Sequence, residues 1–371
     1  MASPSPRPFQ LVTPAPDIVV IGGGIVGLWS TWVAARKGML VQLIDEATLG
    51  SRASGGILGA LMPHQPNSWS PKKQFQLDGL ISLPHWVSAI ENATGKQCGY
   101  DRVGRIMPIN HQEKRRQSQI WVDGAKMNWP DALTWRVTDD HPAPDWATNT
   151  ASHGWNADTL SARINPRALV DALVKWVREQ PNVAVCENMR MDAETLKKLV
   201  VPKIVSAGVG SFSLVNKDEP RRAGKPVKGQ GATLRPIHPI NSNAPIIYDQ
   251  GTYVIAHADG TIAVGSTSEN EFAEAQTTDQ QLDEVIASAT AMCEALEGAQ
   301  VIERWADTRP KAGKPDPLLG HLTDHKDTII ATGGFKITFA IAHLMAEIAV
   351  DLASGTEREI PDAFRPALRL K

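Results

Sequence analysis

Glycines at positions 22, 24 and 27 are spaced G-x-G-x-x-G, a pattern by which a backbone turn comes close enough to hold a pyrophosphate. Gly22 permits a tight turn, Gly24 leaves no side chain between main chain and ligand, and Gly27 lets helix and strand pack closely. Twenty-one residues after Gly24 stands Asp45, followed by Glu46; a carboxylate there can accept from both hydroxyls of a ribose. The chemistry in view is the binding of a dinucleotide. The elements that must position it lie on either side. Asp17 to Ile21 reads as a buried strand, Leu28 to Lys37 as a helix stopped by Gly38, and Leu40 to Ile44 as a second strand. Together they form a complete βαβ unit, in which the first N–H groups of the helix, at Ile25 and Val26, and its positive dipole end face the phosphates. A glycine-rich turn with no ligand is the competing reading.

Two further stretches carry the same kind of chemistry. Gly50 to Ala60 is dense in Gly, Ser and Ala, and holds Arg52, Ala53, Ser54, Gly56, Ile57, Leu58 and Gly59. Such a loop lets backbone approach a flat, phosphate-bearing ligand. Near the other end, Gly333 and Gly334 separate a strand from a helix that starts around Phe335, with Lys336, Ile337 and Thr338 in its first turn, and runs past Met345 to about Ala353. Its N-terminus can point at a second acceptor, beyond the reach of the first helix.

With 371 residues, 42% of them hydrophobic, the chain is long enough for two domains and a substantial core. A net charge of -2 argues against nucleic acid or an anionic membrane as partner. Lys114-Arg115-Arg116 and Arg221-Arg222 read as solvated loops or a helix face. No apolar run is long enough to span a bilayer. The first sixteen residues hold five prolines and no apolar core of a signal peptide; they read as a loose, flexible arm. Cys98, Cys186 and Cys293 are widely spaced, which fits reduced thiols in a cytoplasmic protein and no metal site. Eleven of the 21 aromatic residues are tryptophan, read as packing anchors.

The expected fold class is α/β, a Rossmann-like dinucleotide-binding domain with an interleaved β-rich (α+β) substrate domain. Strand patterns of the nucleotide-binding kind recur at Lys203 to Val205, leading into Ala207-Gly208, and at Thr328 to Thr332. Between them, 100–150 and 225–270 carry short β-like runs, including Gly104 to Ile109 and a hairpin of Tyr253 to Ala256 with Thr261 to Gly265. The expected division is an arm at 1–16, a nucleotide domain from 17–85, 151–220 and 305–371, and a second domain from 86–150 and 221–304. Asn165 and Pro166 open one amphipathic helix. Thr278-x-x-Gln281 reads as the capping box of another, ending near Gly298.

Beyond the first glycine motif, the chain resembles the D-amino-acid oxidase, glycine oxidase and sarcosine oxidase family of FAD-dependent amine oxidoreductases. The likeness spans most of 17–355. It rests on Gly50 to Ala60, on Ala207-Gly208, and on Tyr253-Val254-Ile255 with Asp259-Gly260 and Val264-Gly265-Ser266-Thr267. It continues in Trp305 followed by Arg309-Pro310, and in Gly333-Gly334-Phe335. In pattern it is most similar to the glycine-oxidase-like branch. The resemblance implies FAD held by the first domain and a β-rich domain covering its ring. The small amine or amino-acid substrate is oxidised by hydride transfer to flavin N5, and oxygen or another acceptor takes the electrons.

The resemblance also implies roles at single residues. Arg309 matches an arginine that pairs with the substrate carboxylate; the competing reading is a structural ion pair with Asp307 or Glu303. Tyr253 matches a tyrosine near the substrate. Lys336 stands where related enzymes often carry an arginine, keeping the charge and losing the fork. His257 replaces a basic residue of the family pattern and reads as surface or interface. His64 follows the Gly56–Met62 segment and can lie near the ring. A cysteine near Arg309 would mark covalent flavin; residues 299–330 contain none, so non-covalent FAD is expected. Alternatives remain: a dehydrogenase of a secondary amine or imino acid with a non-oxygen acceptor, a non-catalytic FAD-binding subunit, and, more distantly, an NAD-linked enzyme. Substrate identity and oligomeric state stay open.

Overall fold

The apolar run Ile18–Ile21 is buried along its whole length, as a strand covered on both faces must be, and it forms the centre of a parallel sheet. In the computed structural model, which describes residues 5–216, 220–314, 316–322 and 325–366, two large sheets organise the molecule. The first has the order β17 (Leu318–Leu322), β18 (His325–Thr332), β11 (Lys203–Val205), β2 (Ile18–Ile21), β3 (Val41–Ile44), β9 (Val183–Cys186). All neighbours are parallel except β17, which lies antiparallel at the edge. The chain leaves β2 for β3 on one side and later returns to β11 on the other. That reversal opens a crevice beyond the carboxyl end of β2, where open α/β sheets take their ligands.

Helices α1 (Ile25–Arg36), α4 (Pro166–Glu179) and α9 (Thr338–Ala353) cover one face of this sheet, and α2 (Pro71–Thr94) packs on α9 and α4. Eleven of the twelve residues of α1 are buried; a helix apolar all round belongs in a core, and α1 is wedged between α9 and α4. Trp29 stacks edge-on against Trp32 and Trp86, and Trp32 against Trp176, so these tryptophans act as packing anchors. The other face buries Val19, Ile21 and Val205 against Leu196, Leu199 and Met189, from around α5 (Ala193–Lys198) and β10 (Met189–Arg190).

The second sheet has the order β16 (Gln300–Ala312), β12 (Gly224–Arg235), β15 (Ile262–Gly265), β14 (Thr252–Ala256), β13 (Ile246–Asp249), β5 (Arg105–Pro108), β7 (Trp155–Asp158), β6 (Trp135–Thr138). Only the β13–β5 pair is parallel. One face packs on α8 (Gln280–Met292); the other looks toward the crevice. Short helices α6 (Gly210–Val215) and α7 (Pro220–Ala223) lead into β12, and a small antiparallel pair joins β4 (Ala60–Leu61) to β8 (Ala162–Arg163). Among the described residues, no helix is long and apolar enough to cross a membrane.

Several expectations are corrected. The proline-rich start is not a loose arm over its described part: β1 (Arg7–Pro8) pairs with β10, and Phe9 and Val12 pack on the core below. Proline lacks an N–H but keeps its carbonyl, which suffices at a sheet edge. Residues 1–4 and 367–371 lie outside the described residues. The expected domain division is crossed three times, because α2 runs through the 85/86 boundary within one core and because β7 and all of β16 belong to the second sheet. Within 100–150, the β-like runs at β5 and β6 flank α3 (Gln112–Asn128), a helix whose buried stripe is Ser118, Val122, Gly124 and Ala125. With no large apolar side chains except Val122, its periodicity is nearly invisible in sequence. Lys114, Arg115 and Arg116 sit on that helix, ion-paired to Asp249, Asp139 and Glu113. Helix α8 is capped by Asp279, whose side chain accepts from the N–H of Gln281; Thr278 instead accepts from Arg304.

Candidate active site

Between the two sheets lies a cavity of about 1070 Å³, well beyond what a small substrate alone requires. At one end is the β2–α1 turn. Gly22 has φ +104°, and a Cβ on it would press into the backbone of Ser206 and Ala207. A Cβ on Gly27 would collide with the carbonyl oxygen of Gly22, so this residue closes helix onto turn. Gly24 caps α1 with no side chain. Ser54 Oγ accepts from the N–H of Ile25 at 2.9 Å, and the remaining first-turn N–H groups have no acceptor within the helix. Asp45 accepts from the N–H of Gly23 at 2.6 Å and of Ala47 at 2.7 Å. Burial pushes its carboxyl up from the usual range, against the pull of those two donors.

At the other end, β18 runs into Gly333 at φ +78° and Phe335 at φ +50°. Positive φ is unusual for a phenylalanine and marks a backbone held by its surroundings. The short turn Phe335–Ile337 leads into α9 without a side-chain cap, and Gly334 is bridged to Lys311 of β16. The start of the last long helix is thereby tied to the strand that carries Arg309.

The sheet forms the lid. Tyr253, Gly265, Gly231 and Trp305 are consecutive partners across β14, β15, β12 and β16. A Cβ on Gly265 would touch Leu58, one on Gly231 would meet Ile57, and one on Gly56 would meet Trp305. The two sheet glycines thus let 56–58 lie flat on the strands, and His257, buried in the same interface, bonds the carbonyl of Ile57 through Nε2 at 3.0 Å.

Polar groups converge near the Gly333 end. Arg309 Nη1 donates to the carbonyl of Thr267 at 3.2 Å. Glu303 is taken by Arg167 in a two-pronged pair, and Asp307 accepts from the N–H of Thr308 at 2.6 Å, so neither suggested ion pair holds Arg309. The guanidinium lies over Gly229, where an added Cβ would come closer than 3.0 Å to both Nη atoms. Thr267 hydrogen-bonds to Glu269, which with Gln230 and Lys228 forms a buried network ending at Asp279. Tyr253 stacks on Tyr248 with ring centres 4.8 Å apart, and Lys336 Nζ lies 5.9 Å from the Tyr253 ring centre. Burial pushes the Tyr253 phenol up to about 12, so it stays a neutral donor. Burial, with the charges of Arg309 and Lys311, pulls the Lys336 ammonium down to about 8. His64 is pinned by Gln76, whose Oε1 accepts from its backbone N–H at 2.9 Å and is bonded to Nδ1. Burial lowers its pKa, leaving a neutral ring.

Of the site residues named from sequence, only Gly27 and Gly334 do not line the cavity. Sequence reasoning missed Arg105, Met62, Tyr248 and the stretch from Met189 to Glu194, all on the wall. It also missed Gly229 behind Arg309. Two of these had a signal: an arginine inside an apolar β-run, and a glycine inside a strand, which often marks close approach. Among the described residues no group of His, Cys, Asp or Glu is placed to hold a metal.

A family model described as FAD dependent oxidoreductase matches residues 17–351. The chain belongs to that family. Its glycine turn, uncapped helix start and long cavity fit an adenine dinucleotide of flavin. A glycine oxidase of Pseudomonas putida is 26% identical over 95% of this chain and 99% of its own. In structure, a glycine oxidase of Geobacillus kaustophilus superposes with a TM-score of 0.83 over 96% of this chain and 98% of its own at 18% identity. An iminodiacetate oxidase of Chelativorans sp. gives 0.80 over 94% and 98% at 19% identity. The protein is an FAD-dependent oxidoreductase with the fold of these enzymes.

Proposed function

We propose that the protein oxidises a small amino acid or related amine at the carbon bearing nitrogen. The carrying observation is the convergence of Arg309, Tyr253 and Lys336 at the Gly333 end of the cavity whose far end is the Gly22–Gly27 turn. FAD, held non-covalently, supplies the hydride acceptor at N5 that turns the amine into an imine for water to hydrolyse.

The chain's own groups bind and orient. The Ile25 N–H is taken by Ser54, so the N–H of Val26 and those after it in the first turn of α1 would meet the pyrophosphate across Gly22 and Gly24. Asp45 and Glu46 serve the ribose, and the Arg52–Gly59 loop, with Ala207 and Gly208, follows the rest of the dinucleotide. Arg309 takes the substrate carboxylate with its planar fork, Tyr253 donates its hydroxyl beside it, and Lys336 adds positive charge. The N–H groups of Phe335 and Lys336, in the turn that opens α9, would stabilise the negative charge that builds on the ring, the Ile337 N–H being taken by the carbonyl of Gly334. His64, with its backbone N–H and Nδ1 held by Gln76, borders the pocket; an amine that enters neutral needs no protein base.

The name glycine oxidase carried by the relatives supports a small carboxylated amine. We further infer two bodies, one around each large sheet, and a cytoplasmic location from three buried thiols. The test is an anaerobic screen of flavin absorbance against glycine, sarcosine, D- and L-amino acids and simple amines. We expect bleaching by a carboxylated amine; no bleaching by any member would reject the reading. Oxygen uptake with peroxide release then separates oxidase from dehydrogenase.

A further inference from the structure

Arg105 is a charged group on the cavity wall to which amine oxidation as described gives no task. It lies on β5 beside Ile246, and the pleat puts it on the face that carries Tyr248 and Tyr253. Its side chain is only 5% exposed. Nε donates to Asp158 at 2.7 Å, and Asp158 is itself held by the N–H and hydroxyl of Ser161. Cζ lies 5.0 Å from the Trp135 ring centre. One edge of the guanidinium is therefore anchored and one face is packed.

The other edge is not satisfied. Nη2 is buried with no hydrogen-bond partner. Nη1 meets only the sulfur of Met62 at 3.6 Å, and a thioether is a weak acceptor. Both residues line the cavity. An oriented pair of donors at a cavity wall matches a carboxylate in two-pronged geometry. Methionine is unbranched and turns easily about its bonds, so its sulfur can give way to an oxygen.

Charge points the same way. Asp158 offsets Arg105, and Glu269 stands behind Arg309. The charged groups acting on Lys336 are the cations Arg309 and Lys311, and Asp307 is the carboxylate on the same stretch of wall. Tyr253, Arg309 and Arg105 all line the one cavity, and Arg105 shares a face of the second sheet with Tyr253.

We infer that Arg105 is a second carboxylate-binding pole, and that the substrate is an amine bearing two carboxylates, one on Arg309 and one on the Nη1–Nη2 edge of Arg105. This rests on the amine-oxidation reading and narrows its substrate class.

The experiment uses the flavin-bound protein and matched pairs that end in a carboxylate or a methyl group. These are aspartate with 2-aminobutyrate, glutamate with norvaline, in both enantiomers, and N-carboxymethylglycine with N-ethylglycine. Preference is read from kcat/KM, or from the perturbation of flavin absorbance where no turnover occurs. At least one dicarboxylate should be preferred by about tenfold or more, the effect of roughly one charge-assisted hydrogen bond. That preference should fall toward unity in Arg105→Lys and in Met62→Phe. The second variant keeps the Arg105–Asp158 pair and blocks the way to it, so a failure of Arg105→Lys to fold does not remove the test. No preference in the wild type, or one that survives in either flavin-bound variant, overturns the assignment. Dicarboxylates that perturb the flavin through Arg105 while no amine reduces it would keep the pole and reject the oxidation.

Discussion

Arg309 and Lys336 are both cations in the same corner, yet their physics differs. A guanidinium stays charged even when buried, so removing it removes a fixed anchor. Arg309→Ala should raise KM for carboxylated amines by about ten- to hundredfold, on the scale of about 1.5–3 kcal/mol for a hydrogen bond to a charged group. Flavin content should be unchanged, and steady-state kinetics on FAD-loaded protein checks it; an unaltered KM would take the arginine out of the site. Lys336 titrates instead. Burial and two neighbouring cations bring it down to about 8, so it is charged below that pH and neutral above. A carboxylate ligand favours the charged form. Its affinity should therefore be highest on the acid side and weaken as pH rises through about 8, and Lys336→Met should flatten that step. Titration of flavin absorbance with a non-reacting carboxylate across pH shows either outcome.

At the scale of elements, the sheet face is shaped by what it lacks. Gly229, Gly231 and Gly265 carry no side chain on the face that meets Arg309, Ile57 and Leu58. Gly229→Ala should displace the guanidinium, since overpacking costs about 1–3 kcal/mol, and raise KM for carboxylated amines by roughly five- to hundredfold. Amines without a carboxylate should be turned over as before. An equal loss on both substrate types would mean that the strand itself had been disturbed. The glycine turn at 22–27 was legible because strand, turn and helix are contiguous in sequence. The partner of Arg309 was not, because Thr267 reaches it only through the pairing of β16 with β12 and β12 with β15. Likewise the cap of α8 went to Asp279 and not Thr278, a one-residue choice made by the bonds of Gln230 and Lys228 to that carboxylate.

For the molecule as a whole, the strands of the first sheet come from residues 18 to 332, and the cavity wall draws on β2, β3, β18 and the loop after β11 together with the second sheet. A ligand that binds only this assembled state must stabilise it. Excess FAD at about a hundred times its Kd should add about 2.7 kcal/mol, seen as a rise in Tm over the apoprotein. Flavin fluorescence should appear in the same transition as the loss of helical signal, and none should stay on the chain in a denaturing gel. Flavin released well below the unfolding transition, or retained after it, would count against a non-covalent cofactor clasped by both halves.

Local backbone form was legible in the sequence alone: three glycines and an acid in register with a strand and a helix give a tight turn, a helix start without a side-chain cap and a carboxylate beside them, and a further glycine pair opens the last helix. These signals act within one or two dozen residues, so they need no tertiary context. The tertiary structure alone decided which side chains share a cavity wall with Arg309 and Tyr253, the two that the resemblance had already named. Arg105, Tyr253, Gly229 and Arg309 are separated by as much as two hundred residues, and sheet register brings them onto one face. Register is set by which strands bury their apolar sides together, and that is a property of the whole packed molecule.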